Sequence, residues 1–328
     1  MLVDPLGRKI TYLRISVTDR CNLRCVYCMP PAGITWQPHK AIMRFEEILE
    51  VVKACASEGI TEIRLTGGEP LVRQDLVQFV RMLSVVPGIQ DISLTTNGLL
   101  LDRLAAPLVD AGLKRVNVSL DTLQPEKYSR ITRGGSFDKA WKGLEAADQA
   151  GLAPLKINAV ALKGINDGEI LALARLSLEH PWHVRFIELM PIRNQLPWGE
   201  GFPAPEECYL SVREIQDLLQ PLGAQPVSRE SIGSGPAQQY RVPGAPGEIG
   251  IISALGEKFC ESCNRLRLTA DGFLRPCLMN DGEVNVLGAI RRGEPVLPLL
   301  YQAVRNKPRG YDLFNAHPGN RCMTQIGG

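Results

Sequence analysis

Three cysteines stand close together in Cys21-Asn22-Leu23-Arg24-Cys25-Val26-Tyr27-Cys28. Thiolate sulfurs select zinc, copper(I) or iron-sulfur clusters, and three of them in one loop point to a shared metal centre. A closed structural site takes four protein ligands, so three leave one metal position open for a substrate or cofactor. For a bare Cys-x-x-Cys pair, half of a zinc site completed by a distant His or Cys is the commoner explanation. The spacing here argues against it: gaps of three residues and then two, with Tyr27 directly before the last cysteine.

A second trio follows in Cys260-Glu261-Ser262-Cys263 and Cys277, the last preceded by Arg275-Pro276. Between them Asp271-Gly272 separates β-rich runs at 265–269 and 273–274, a hairpin signal that would fold Cys277 back beside the pair. Cys322 is distant and His317 lies in a tail segment, so no fourth ligand is obvious. A structural zinc ribbon, the competing explanation, uses two Cys-x-x-Cys pairs, and an open three-thiolate metal centre fits the trio better. Arg265 and Arg267 alternate along the adjoining strand and put two cations on one face; a solvated basic surface is the alternative.

Both trios need a frame. β-rich runs at 12–18, 62–65, 91–95, 115–119, 155–160 and 184–190 alternate with helical patterns at 45–56, 75–83, 101–111, 137–150 and 168–178. Repeated βα units imply a parallel sheet, either open and doubly wound or an incomplete barrel. Side chains alternate across a strand. Arg14, Ser16 and Thr18 share the phase of Arg64 and Thr66, Ser93 and Thr95, Asn117 and Ser119, and Lys156 and Asn158. Strands covered by helices on both faces read as continuous apolar runs. Five strands with a common polar face therefore predict a curved sheet around a wet interior, unlike an eight-stranded barrel filled with Val, Ile and Leu. The run at 184–190 is phased less clearly. Arg14, Arg64 and Lys156 inside one cavity are costly without an anion, so phosphate or carboxylate is expected there.

Reactive groups in such architectures sit on loops after the carboxyl ends of strands. The cysteine loop falls there, as do Thr66-Gly67-Gly68-Glu69-Pro70, Thr95-Thr96-Asn97-Gly98 and Ser119-Leu120-Asp121. The paired glycines allow close backbone approach to a ligand.

The 328 residues suffice for one large domain and a smaller one. Composition shifts to Pro, Gly and Ser between 191 and 246, apart from a helical run at 212–219, and the division is set at 1–230 and 231–328. With 45% hydrophobic residues, 22% charged residues and a net charge of +2, nothing indicates a nucleic-acid surface. No apolar run reaches membrane-spanning length, and the opening MLVDPLGRKI lacks the order of a secretory signal, so a cytoplasmic location without membrane is expected. Of nine cysteines, the six in trios fit reduced thiols serving metals, while Cys55, Cys208 and Cys322 stand alone as packing residues.

Together CNLRCVYC, LTGGEP, CESCNRLRLTADGFLRPC and the final Gly327-Gly328 closely resemble the GTP 3′,8-cyclase family of the radical S-adenosylmethionine (SAM) superfamily, over nearly the whole chain. The resemblance implies an α/β fold, an incomplete (βα)6 TIM-type barrel with a smaller C-terminal α+β domain carrying a second iron-sulfur cluster. It implies two 4Fe-4S clusters. Cys21, Cys25 and Cys28 would hold the one that binds SAM, and Cys260, Cys263 and Cys277 the one whose open iron faces the guanine of GTP. Tyr27, Gly68, Ser119 and Met190 would contact SAM. Arg14, Arg64, Thr95, Lys156, Arg265, Leu266 and Arg267 would contact GTP, with Arg265 and Arg267 joining the first trio as catalytic residues. The terminal glycines would reach the active site.

The activity so implied starts molybdenum cofactor biosynthesis. A 5′-deoxyadenosyl radical from SAM takes the ribose 3′ hydrogen of GTP, and the C3′ radical attacks guanine C8 to give (8S)-3′,8-cyclo-7,8-dihydroguanosine 5′-triphosphate. Implied partners are a second copy in a homodimer, an electron donor of the flavodoxin or ferredoxin type, and a cyclic pyranopterin monophosphate synthase that takes the product. Gly310-Tyr311 after Lys307-Pro308 departs from the histidine-rich sequence expected of relatives, which bears on tail packing. Two rivals stand beside this reading: another radical SAM enzyme with an auxiliary cluster, such as a peptide maturase, and a non-catalytic protein with two zinc sites.

Overall fold

Alternation of polar and apolar residues becomes a sheet with two unlike faces in the computed structural model, which describes residues 1–190, 198–227, 235–253, 255, 256, 259–311 and 321–327. In chain order the strands are β1 (Tyr12–Ser16), β2 (Glu62–Thr66), β3 (Asp91–Thr96), β4 (Arg115–Ser119), β5 (Lys156–Ala161), β6 (His183–Glu188), β7 (Gln225–Pro226), β8 (Gln238–Arg241), β9 (Glu248–Ile252), β10 (Arg265–Leu268), β11 (Phe273–Arg275) and β12 (Val284–Asn285). The helices are α1 (Phe45–Ser57), α2 (Leu76–Ser84), α3 (Leu101–Asp110), α4 (Pro125–Thr132), α5 (Phe137–Gln149), α6 (Ile170–Glu179), α7 (Val212–Leu219), α8 (Val286–Arg291), α9 (Leu297–Arg305) and α10 (Met323–Ile326).

Helices form where apolar residues recur at helical spacing. Ile48, Val51, Val52 and Cys55 of α1, and Leu76, Phe79, Val80 and Leu83 of α2, sit at i, i+3, i+4 and i+7 and are buried. They pack on the apolar face of the sheet, where Leu13, Ile15, Ile63, Leu65 and Val116 belong to the same core. All six expected helices are present with ends within two residues. Helix α4 is not expected from the sequence pattern: it is short and mostly polar, starts on Pro125, and its buried Tyr128, Ile131 and Thr132 make only one turn of a helical repeat.

All the strands share one sheet, in the order β12-β11-β10-β1-β2-β3-β4-β5-β6-β9-β8-β7. Strands β1 to β6 pair in parallel in sequence order. The segment expected to form a smaller C-terminal unit adds to both sides: β9 pairs in parallel with β6 and β10 in parallel with β1. Because both run in the same direction, the chain leaves β9 at the carboxyl end of the sheet and must return to the amino end before Arg265 pairs with Tyr12. This crossing carries Cys260 and Cys263. The antiparallel β11 then descends beside β10, which brings Cys277 back to the amino end, as the Asp271-Gly272 hairpin predicts. Among the described residues no helix is long and apolar enough to cross a membrane.

Candidate active site

The polar faces of β1 to β6 and the crossing segment enclose a cavity of about 340 Å³, within the range of small-molecule sites. Its two ends carry the two trios: one follows β1 at the carboxyl end, the other lies at the amino end of β10.

The first cysteine loop is held by its backbone. Arg24 and Val26 donate their N–H groups to Thr132 and Ile131 at the end of α4. The Arg133 guanidinium donates to the carbonyls of Arg24 at 2.6 Å, Met29 at 2.9 Å and Trp198 at 2.7 Å. Asn97, after β3, donates its side-chain amide to Asn22 at 2.8 Å. The glycines of the second loop serve this same packing. A Cβ on Gly67 would lie 2.5 Å from the Thr18 carbonyl oxygen, and one on Gly68 2.4 Å from that of Arg20. Only glycine lets the loops touch. Glu69 fixes the contact, accepting from the Thr96 hydroxyl (2.6 Å), Asn97 N–H (2.7 Å) and Leu71 N–H (3.0 Å).

Inside the cavity the charged groups beside these sulfurs are carboxylic, Glu69 and Asp121, while the Arg133 guanidinium lies outside it. Burial pushes Glu69 up to about 7 against its three donors, and Asp121 up to about 6 against its bonds from Tyr27 Oη (2.6 Å) and Val160 N–H (2.8 Å). Burial raises the Cys21 thiol to about 11, and raises Cys25 and Cys28 further, with Asp121 adding to both. Thiols in such a setting need a metal to ionise.

The middle and amino end are cationic. Register places Arg14 beside both Arg64 and Arg267, so three arginines lie side by side on adjacent strands. Lys156, Arg115 and Arg185 line the same space. Burial lowers Lys156 to about 7 and Arg185 to about 9, neighbouring cations adding to both, and lowers Arg14 well below its ordinary value. Arg185 donates to Asn158 Oδ1 at 2.9 Å, Arg64 to Tyr12 Oη, and Arg267 to the Gly327 carbonyl at 2.8 Å. Arg14 Nε and Thr95 Oγ1 are buried with no hydrogen-bond partner among the described residues. Crowded cations and orphaned donors fit an anionic ligand.

At the second trio the surroundings reverse. Burial raises the Cys263 thiol, but Lys307 and Arg265 outweigh it and hold the group below its ordinary value. Lys307 Nζ donates to Cys263 Sγ at 3.4 Å. Arg8 donates to the Cys260 carbonyl at 2.7 Å.

All six trio cysteines line the cavity, as do Tyr27, Gly68, Ser119 and Met190. Arg14, Arg64, Thr95, Lys156, Arg265 and Arg267 do so too. Leu266 does not: its side chain is fully buried in the core on the opposite face from its two arginine neighbours. Gly327 comes against Ser16 and Thr66, while Gly328 and His317 lie outside the described residues. Sequence reasoning missed Tyr12, Arg115 and Arg185. Arg115 shares the phase of Asn117 and Ser119 and was findable; Arg185 lies on the strand whose phase was unclear. Tyr311, part of the departure from relatives that bears on tail packing, lines the cavity. Cys55, Cys208 and Cys322 are buried; Cys322, unlike the other two, lies near enough to Cys28 to add to the rise of its thiol.

Among the described residues no three His, Cys, Asp or Glu side chains converge as they would around a single ion. A 4Fe-4S cluster, in which each thiolate takes a different iron, needs no such convergence, and three thiols match the three protein ligands of an open one.

A family model described as the radical SAM superfamily matches residues 15–177, and one described as Molybdenum Cofactor Synthesis C matches 182–313. A GTP 3′,8-cyclase of Pelotomaculum thermopropionicum is 48% identical over 329 residues, and one of Moorella thermoacetica 47% over 328, each alignment covering 99% of both chains. Among solved structures, Streptococcus suis SuiB bound to the precursor peptide SuiA matches with a TM-score of 0.62 at 14% identity, covering 92% of this chain and 67% of that one. That last likeness concerns the fold alone.

Proposed function

This chain belongs to the radical SAM superfamily and, within it, to the GTP 3′,8-cyclases, and from that premise we propose how its cavity divides the work. The protein is an enzyme that cyclises GTP in the first step of molybdenum cofactor biosynthesis. A 4Fe-4S cluster with bound SAM would supply the radical chemistry that removes the ribose 3′ hydrogen of GTP and joins C3′ to guanine C8.

In the proposed division Cys21, Cys25 and Cys28 hold that cluster. Tyr27, Gly68, Ser119 and Met190 contact SAM, with Glu69 and Asp121 complementing its sulfonium and ammonium charges. Arg14, Arg64, Thr95, Lys156, Arg265 and Arg267 hold GTP, joined by Arg115 and Arg185, while Leu266 contributes only through its backbone. Cys260, Cys263 and Cys277 hold a second 4Fe-4S cluster near the guanine. The protein's part is to orient the ribose between the two ends and exclude water. Residues 1–230 form the SAM core in this reading, and 231–328 close the cavity and carry the second cluster. It includes a cytoplasmic homodimer, a flavodoxin- or ferredoxin-type donor and transfer of product to cyclic pyranopterin monophosphate synthase.

The observation that carries this reading is the polarity of the cavity, with thiols and carboxyls at one end and a row of arginines leading to more thiols at the other. The test is anaerobic incubation of reconstituted protein with SAM and a reductant, with and without GTP. The expected result is GTP-dependent 5′-deoxyadenosine and a cyclised nucleotide. SAM cleavage that leaves GTP untouched would overturn the substrate assignment.

A further inference from the structure

Lys307 follows α9 and is 6% exposed, far from where a lysine ordinarily ends. Its ammonium group has three protons and finds three acceptors: Cys263 Sγ at 3.4 Å, the Arg265 carbonyl at 2.8 Å and the Pro276 carbonyl at 2.9 Å. These belong to two separate stretches of chain, one carrying Cys260 and Cys263, the other leading directly into Cys277. A single buried cation thus ties together the two stretches on which the trio depends.

Its charge is unmatched by any carboxylate: among the described residues no Asp or Glu forms an ion pair with Lys307. Nearby Arg8 differs. Arg8 also reaches the trio, through the Cys260 carbonyl at 2.7 Å, and grips the Pro308 carbonyl at 2.7 Å, yet it has Asp4 as its own counter-ion at 2.5 Å. A buried unpaired cation is costly unless an anion accompanies it. The groups beside it that can carry a negative charge are the sulfurs of Cys263 and Cys277.

We propose that Lys307 is a positioning residue of the second cluster: it fixes Cys263 relative to Cys277 and offsets the negative charge that the cluster carries and gains on reduction. The proposal rests on the reading above that this trio holds a 4Fe-4S cluster. Hydrogen bonds to the sulfurs and nearby charge set the potential of such clusters, and partners of metal ligands influence metal retention. A lysine is suited to this place because three single acceptors surround a point charge, where the planar arginine fork would not satisfy them all.

The test uses full-length reconstituted protein, wild type against Lys307→Met and Lys307→Arg. Iron and sulfide are counted, loss of iron to a chelator is timed, and cluster potentials are titrated by electron paramagnetic resonance with SAM present to mark the first cluster. In Lys307→Met the second cluster is expected to titrate at a more negative potential and to lose iron about tenfold faster. SAM binding and the first cluster stay as in wild type, and Lys307→Arg recovers part of the potential. Two clusters in Lys307→Met with unchanged potential and iron loss would overturn the proposal alone. One cluster, or zinc, in the wild type would overturn the second-cluster reading and the proposal with it.

Discussion

At one end of the cavity Cys21, Cys25 and Cys28 lie near Glu69 and Asp121; at the other, Cys263 and Cys277 lie near Lys307, Arg265 and Arg267. The donor sets are the same, three thiols each, and the surroundings have opposite sign. Sulfur count alone would give the two trios the same role. The charges do not, because a sulfonium and ammonium ligand suits the carboxylic end and a triphosphate suits the arginine row. Backbone support differs as well: Arg133 and α4 hold the first loop through its carbonyl and N–H groups, whereas Lys307 reaches a sulfur of the second directly. The first loop is therefore fixed in place with an uncharged donor, Leu23 N–H, on Cys21 Sγ at 3.4 Å, and the second is fixed together with a charged one.

The largest effect should come from breaking each end separately. Cys25→Ser is expected to abolish SAM cleavage, with or without GTP. Cys263→Ser should leave the first cluster's iron and SAM binding in place and abolish formation of the cyclised nucleotide. Iron analysis and quantified 5′-deoxyadenosine distinguish them. If both variants lost SAM binding alike, the two ends would not be independent.

Next comes the arginine row. Arg14→Ala removes a guanidinium aligned with Arg64 and Arg267, and should weaken GTP binding by about 10- to 100-fold, the scale of a charge-assisted hydrogen bond worth about 1.5–3 kcal/mol. SAM affinity should not change. Calorimetric titration of both ligands checks this, and an equal loss for SAM would show that the cavity is not divided by charge.

Much of this division was legible in the sequence, because a strand's side-chain period of two sorts inward from outward residues without knowledge of the turns. That rule put Arg14, Arg64, Thr95 and Lys156 inside, and the structure agrees. It also puts Arg115 inside. What it could not give was sheet order for the C-terminal strands. Placement of β9 and β10 on opposite sides of the barrel strands depends on pairing across distant sequence, and local pattern carries no trace of it. Lys307 was invisible for a similar reason. Nothing local distinguishes a lysine with three buried acceptors from one in solvent, and α4 with Arg133 lacked the apolar repeat that reveals a helix.

A gentler probe of the cationic end is pH. Burial, with the neighbouring Arg185, Arg115 and Arg64 adding to it, brings Lys156 down to about 7. A bound triphosphate favours the charged form and raises that value, so above about pH 7 binding must take up a proton. GTP affinity is expected to fall as pH rises beyond 7, by up to about tenfold per unit, with no such loss below it. Lys156→Arg, measured alongside to account for titration of the nucleotide, should remove the fall. A slope unchanged in that variant would assign the proton to another group.

The smallest effect concerns a cysteine that belongs to neither end. Cys55 lies on the buried face of α1, fully enclosed in the main core with Ile48, Val51 and Val52. It acts there as a small apolar side chain. Cys55→Ala should cost about 1 kcal/mol of stability for lost contacts. Cys55→Ser should cost about 1–3 kcal/mol, because a hydroxyl is buried in apolar surroundings, and less if it bonds back to the helix carbonyl four residues earlier. Denaturant unfolding measures both, and neither should change the iron count. Loss of iron in either variant would place a ligand outside the two trios and break the comparison at its root.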